Sequence, residues 1–376
     1  MNVPFHWVTY GKEEVEAVLK EIKDNWFSPR GPKIPELGQR FADIMGKKYG
    51  WPVSSGTGSI HLALLAAGVG EGDLVAVPSY TCSPGVYPVS YVGAIPVFVD
   101  CELETYGLDP EHLDQVLTEH GGKIVAAIPV DLYGAACKTE VLDVCRKHGV
   151  IVIEDVCESV GALYHDSEDR AGKWADFACY SMRGDKIVTA LGTGGVVLTD
   201  DAEMFRVIKL WSDLGLKVDT TMGRYRDLEM IGFNYEIGNV ACAFGIAQMD
   251  RLQEIVDGRR NSARMWREAL ADSEGIVQMA EYDGHVWYQY PLLFERLENV
   301  DQLDAMGERI VARGTPLIPP FWPMEKQPPY SGIEADCPQS TYASEHVFLF
   351  PCYPALTEEQ VEYMAGVIME EYAKVG

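Results

Sequence analysis

Apolar residues recur at helical spacing at Val15, Val18, Leu19 and Ile22 within residues 11–24. That spacing predicts an amphipathic surface helix. A turn-rich connector, Trp26 to Pro32, precedes a second helical pattern from Ile34 to Tyr49. From Leu74 the rhythm changes. Short, mainly apolar runs at Leu74–Pro78, Ala94–Asp100, Ile124–Val130 and Val150–Asp155 alternate with helical stretches at Ser83–Val92, Pro110–Glu119 and Lys138–His148. Strands apolar on both faces that alternate with helices predict a mostly parallel sheet between helical layers, an α/β fold. Ligands in such sheets bind beyond the carboxyl ends of the strands. Tyr80, Cys82, Asp131, Tyr133, Asp155 and Glu158, each at or just after a predicted strand end, therefore become candidates.

Further along, residues 177–199 read as strand, loop and strand, with a glycine-rich turn before the second strand. A helix from Ala202 to Trp211 and an irregular stretch to Met230 follow. Gly232 to Asn239 opens a small-residue helix, Val240–Leu252, and a long helix then runs to about Ala271. Val286–Phe294 alternates like a strand, Val300–Arg313 is helical, and Pro316–Tyr330 is a proline-rich ordered loop. Thr357 caps the final amphipathic helix. The reading divides the chain into a large domain, 1–251, and a smaller C-terminal α+β domain, 252–376.

A chain of 376 residues suits two domains, and its 47% hydrophobic content allows a sizeable core. There are 57 acidic residues against 31 lysines and arginines, a net charge of −26, which opposes nucleic acid and anionic membranes as partners. No apolar run approaches the roughly 18 residues of a membrane span. The start of the chain lacks a basic segment leading into an apolar one, so a cytoplasmic location is expected. The nine cysteines form no Cys-x-x-Cys pair and read as reduced, mostly buried thiols. The eight histidines form no ligand pair at helical spacing, and no metal site is expected.

The candidate chemistry centres on Lys186, alone in the loop Ser181-Met-Arg-Gly-Asp-Lys186 between two apolar strands. Loss of solvent lowers a lysine's pKa and suits it to join a carbonyl as a Schiff base. Ser55-Gly56-Thr57-Gly58 opens an apolar helix, where backbone N–H groups make an anion site and glycine lets a phosphate approach. Asp155 ends an apolar strand and can hold a ring nitrogen protonated. An anion cradle, a carboxylate and a lysine together are what pyridoxal phosphate requires.

These segments, with Val77-Pro-Ser-Tyr-Thr, Tyr91 to Asp100, Pro129-Val-Asp-Leu-Tyr-Gly, Gly232-Phe-Asn-Tyr and Leu349-Phe-Pro-Cys-Tyr-Pro, resemble the DegT/DnrJ/EryC1/StrS sugar aminotransferases over nearly the whole chain. The loop Ser181 to Lys186 and the Lys186-Ile-Val-Thr continuation resemble the perosamine-synthase-like members. The resemblance implies the aspartate-aminotransferase-like (type I) fold and pyridoxal 5′-phosphate as cofactor. It implies Lys186 as the Schiff-base lysine and Asp155 at the pyridinium. Gly56, Thr57, Gly58 and Ser181 would sit at the phosphate, with Cys82 and Glu158 against the ring. Asn234 would reach the cofactor phosphate of a second subunit in a homodimer. The implied reaction moves an amino group, usually from L-glutamate, to a nucleotide-linked keto sugar; the alternative acceptor is a ketocyclitol. Arg30, Arg183, Arg224 and Arg226, with Tyr80, are the substrate-contact candidates. Four positions depart from the family pattern: Cys82 replaces an aromatic, Glu158 a glutamine, Thr193 a glutamate and Glu236 an arginine.

Overall fold

The computed structural model describes residues 3–216 and 228–375. Arg224 and Arg226 therefore lie outside the described residues. Seven strands, β1 (Tyr49–Val53), β2 (Leu74–Pro78), β3 (Ile95–Val99), β4 (Ile124–Ala127), β5 (Ile151–Asp155), β6 (Phe177–Ser181) and β7 (Gly195–Thr199), form one sheet in the order β1-β7-β6-β5-β4-β2-β3. The pairs β2–β3, β2–β4, β4–β5 and β5–β6 are parallel; β7 runs antiparallel to both β6 and β1. Strands β6 and β7 are buried at every position, as wholly apolar runs require.

The helix Gly56–Ala66 packs against β5, β6 and β7, with eight of its eleven residues buried. Its small and aliphatic residues face the sheet all round, so it is a core element, unlike the amphipathic helices Lys12–Lys23 and Thr139–His148.

A second sheet, β8 (Ile276–Gln278), β9 (Tyr290–Phe294) and β10 (Val347–Phe350), follows the long helix Leu252–Ala269 and is antiparallel, in the order β10-β9-β8. The helices Val300–Ala312 and Glu358–Tyr372 complete this part of the chain.

Three elements differ from the sequence reading. The helix expected to reach Tyr49 ends at Met45, because Gly46 adopts a left-handed conformation (φ +77°) that stops it. The released residues form β1. Residues 83–92 split into a single 3₁₀ turn, Ser83–Gly85, and a five-residue helix, Tyr87–Tyr91. The strand expected from Val286 begins only at Tyr290. Before it, Trp287 has φ +53°, and the N–H groups of Val286 and Tyr288 donate to the carbonyls of Gly134 (2.9 Å) and Tyr133 (2.8 Å). This turn carries Tyr288 to the carboxyl end of the large sheet.

Candidate active site

The carboxyl ends of β2, β4, β5 and β6 and the start of the helix Gly56–Ala66 converge on a cavity of about 260 Å³. It contains the residues singled out by the chemistry: Gly56, Thr57, Cys82, Asp155, Glu158, Ser181, Arg183 and Lys186 all line it.

Asp155 is fixed where β5 ends. Its backbone N–H donates to Pro129 O at 2.8 Å, and its carbonyl accepts from Asp131 N at 3.0 Å. Its Oδ1 accepts from the Cys157 N–H at 3.0 Å. Burial pushes its carboxyl above the usual range, against the opposing pull of the Cys157 hydrogen bonds and the Lys186 charge. Asp155 is thus a buried, oriented acceptor.

Lys186 hangs from the loop between β6 and β7. That loop is pinned by Met182 N to Gly194 O (2.8 Å), Gly184 N to Gly192 O (2.9 Å) and Lys186 N to Arg183 O (2.9 Å). Its Nζ donates to Glu158 Oε1 at 3.0 Å and lies 4.3 Å from the centre of the Tyr288 ring. Desolvation alone lowers a lysine's pKa, as the sequence reading expects. Here the negative charges facing it, Glu158 above all, outweigh desolvation, and the net direction is well upward. Sequence reasoning missed this reversal because the counter-charge comes from another strand.

The helix start forms the opposite wall. Ser55 Oγ accepts from Gly58 N at 3.1 Å as an N-cap. The N–H groups of Gly56 and Thr57 have no intrahelical acceptor. A side chain at Gly56 would put a Cβ 2.7 Å from Cys157 Sγ and 2.9 Å from Ser181 Cβ, so only glycine fits. One at Gly195 would reach 2.3 Å from Ser55 O. The result is a side-chain-free cradle of backbone donors beside the Ser181 hydroxyl. Together with a buried carboxylate and a lysine, it fits a phosphate-bearing pyridine aldehyde such as pyridoxal 5′-phosphate.

Not every candidate joins the site. Tyr80 is completely buried, and its hydroxyl accepts from the Tyr133 hydroxyl at 2.8 Å, so it buttresses the wall and does not reach the cavity. Arg30 lies outside the cavity lining and is held by both oxygens of Asp213, with Glu236 at 3.7 Å. Arg183 does line the cavity, paired in bidentate fashion with Asp185 at 2.6 Å on both bonds. Gly58 and Asn234 lie outside the lining as well, and Asn234 is exposed. Cys82 stands at the rim, and its low-dielectric surroundings push its thiol up to about 11.

Other lining residues escaped the sequence reading. His6 comes from the N-terminal segment, stacked 6.1 Å from Tyr288. Tyr288, Gln289, Ile318 and Phe321 come from the C-terminal part, and Cys157 lies between the two candidates Asp155 and Glu158. No spacing signal marks His6 or Tyr288, since both arrive by tertiary packing.

The fold and site define an aminotransferase, and comparison with known proteins agrees. The model of the DegT/DnrJ/EryC1/StrS aminotransferase family matches residues 8–369, and the chain belongs to that family. It is 34% identical over 333 residues to the GDP-perosamine synthase of Caulobacter vibrioides, covering 86% of this chain and 85% of that one. It is 28% identical to the GDP-perosamine synthase of Escherichia coli O157:H7, covering 99% of each. Among solved structures, the Helicobacter pylori aminotransferase PseC, involved in the biosynthesis of pseudoaminic acid, shares the fold with a TM-score of 0.90 at 19% identity, covering 100% of both chains. A Streptococcus pneumoniae protein assigned as a sugar aminotransferase, in its PLP form, gives a TM-score of 0.91 at 20% identity, covering 100% of both chains. Among the described residues, no helix is long and apolar enough to cross a membrane.

Proposed function

We propose that the protein transfers an amino group from L-glutamate to a nucleotide-linked keto sugar, with pyridoxal 5′-phosphate as cofactor. One observation carries the reading: Lys186 and Asp155 line the same cavity as the glycine cradle at Gly56. The perosamine synthases among its relatives support an amino-sugar product. Lys186 would hold the cofactor's aldehyde carbon, Asp155 its ring nitrogen, and the Gly56 and Thr57 N–H groups with Ser181 its phosphate. The bound cofactor supplies an aldehyde that joins amines and a ring that withdraws electrons.

The chain's own residues then do the following work. As a free amine, Lys186 Nζ would move the proton off the donor's α-carbon. Asp155 keeps a proton at the ring nitrogen. His6, Arg183, Tyr288 and Phe321 shape the mouth in which the acceptor sits. The active unit in this reading is a cytoplasmic homodimer in which Asn234 reaches the neighbouring subunit's phosphate. The exposure of Asn234 beside the exposed apolar side chains of Leu228, Ile231 and Phe233 supports that arrangement.

One observation favours a second acceptor, a ketocyclitol. Both substrate-candidate arginines among the described residues, Arg30 and Arg183, are already engaged by aspartates and offer a diphosphate less charge. Incubation with glutamate and a panel of nucleotide keto sugars and ketocyclitols, read by mass, tests the reading. Amination of a nucleotide keto sugar is the expected result. Amination of a ketocyclitol alone would replace it.

A further inference from the structure

Glu158 and Lys186 meet from different elements, one from the segment after β5 and the other from the loop between β6 and β7. Their contact is short (3.0 Å), and both side chains are nearly enclosed, with 8% and 13% of their surface exposed. The second oxygen of Glu158 accepts the Tyr133 N–H at 3.1 Å. The carboxylate is therefore fixed between a backbone donor and the lysine, with no rotamer freedom to spend elsewhere.

Other charged or titratable groups face Lys186, but none offers an equivalent acceptor. Tyr288 presents the face of its ring, and its hydroxyl donates to Asp185 at 3.2 Å. Asp185 is taken by the Arg183 guanidinium. Asp155 accepts from the Cys157 N–H. The Cys157 and Cys82 thiols are kept neutral by their surroundings. Burial pushes the His6 imidazole down, toward its neutral form. A buried ammonium without a counter-charge is expensive, and here Glu158 alone supplies the direct contact among the described residues.

We propose that Glu158 is the charge partner of Lys186: it holds the ammonium in the cofactor-free protein and so opposes loss of the proton that the amine must shed before it can attack a carbonyl. The step is the loss of one proton from Nζ to solvent. The ammonium becomes an amine, and nothing is oxidised or reduced. Only the amine has the lone pair needed to form a C–N bond. Glu158 thus sets the pH above which Lys186 becomes a nucleophile. This inference rests on the reading of Lys186 as the group that joins the cofactor.

The test uses the full-length protein freed of cofactor. Pyridoxal 5′-phosphate is added at a series of pH values, and the rate of appearance of the visible lysine-bound band is recorded. An opposite charge at this range shifts a pKa by about one to three units, so the midpoint of the rate profile should fall by that amount in Glu158→Gln. At neutral pH, capture should be about tenfold faster or more. Glu158→Asp withdraws the carboxylate by one methylene and should give a smaller fall; it carries the test alone if the glutamine variant does not fold. A midpoint equal to or above that of the wild type in either variant overturns the proposal while leaving the role of Lys186 intact. A wild-type protein that forms no such band overturns both.

Discussion

The Nζ atom of Lys186 lies 4.3 Å from the centre of the Tyr288 ring, although the two residues belong to different sheets' worth of chain. A cation over an aromatic face at a desolvated site is worth about 2 kcal/mol. Tyr288 and Glu158 thus both contact the Lys186 ammonium. Tyr288→Leu removes this hold on the ammonium, as Glu158→Gln does, and should speed cofactor capture at neutral pH by roughly thirtyfold, as that energy implies. Tyr288→Phe keeps the ring, loses only the hydroxyl contact to Asp185, and should stay near wild type. The rate of appearance of the lysine-bound band checks both; equal changes in the two variants would assign the effect to the hydroxyl.

The cradle at the helix start makes a second prediction. A Cβ at Gly56 would fall 2.7 Å from Cys157 Sγ and 2.9 Å from Ser181 Cβ. Gly56→Ala must push the helix start or Ser181 aside, disturbing the phosphate position. Cofactor affinity should drop tenfold or more while circular dichroism stays native. An unchanged dissociation constant would remove the cradle from the account.

A third prediction concerns stability. Glu154 is buried beside Asp131 and Cys137, with Tyr164 donating to it at 2.6 Å and Gly172 N at 3.0 Å. Burial pushes its carboxyl up to about 7, from 4.5 when solvated. A carboxyl raised in the folded state favours its protonated form there, so the folded chain binds more protons than the unfolded one across that interval. Stability should therefore fall as pH rises from about 4.5 to 7, by an amount on the order of 3 kcal/mol. Asp131, also raised by burial, acts in the same direction. Glu154→Gln, which mimics the protonated form, should flatten the curve. Urea melts across this pH range check it, and a stability that rises with pH equally in both proteins would contradict it.

Much of this arrangement could be read from the chain. Asp155 stood out because it ends a mainly apolar strand, and Lys186 because it is the single lysine in the loop between two apolar strands. The glycine cradle was legible because its requirement is local: N-cap, turn and helix follow one another. The residues that were not legible come from a distance. Tyr288 reaches the site through the turn at Trp287, whose left-handed backbone no alternating pattern foretells. His6 arrives from the N-terminal segment. Tyr80 looked available at a strand end, yet Tyr133 and the surrounding aromatic rings bury it completely. Arg30 was read as a substrate-contact candidate, and only the folded chain shows Asp213 beside it.

The central claim is that Lys186 is the covalent anchor of the cofactor, and the absorbance spectrum of the purified protein tests it most directly. Wild-type protein with pyridoxal 5′-phosphate should show a visible lysine-bound band that bleaches when L-glutamate is added. Lys186→Ala should show no such band and no amino transfer. A Lys186→Ala protein that keeps the band, or that turns over, would contradict the account.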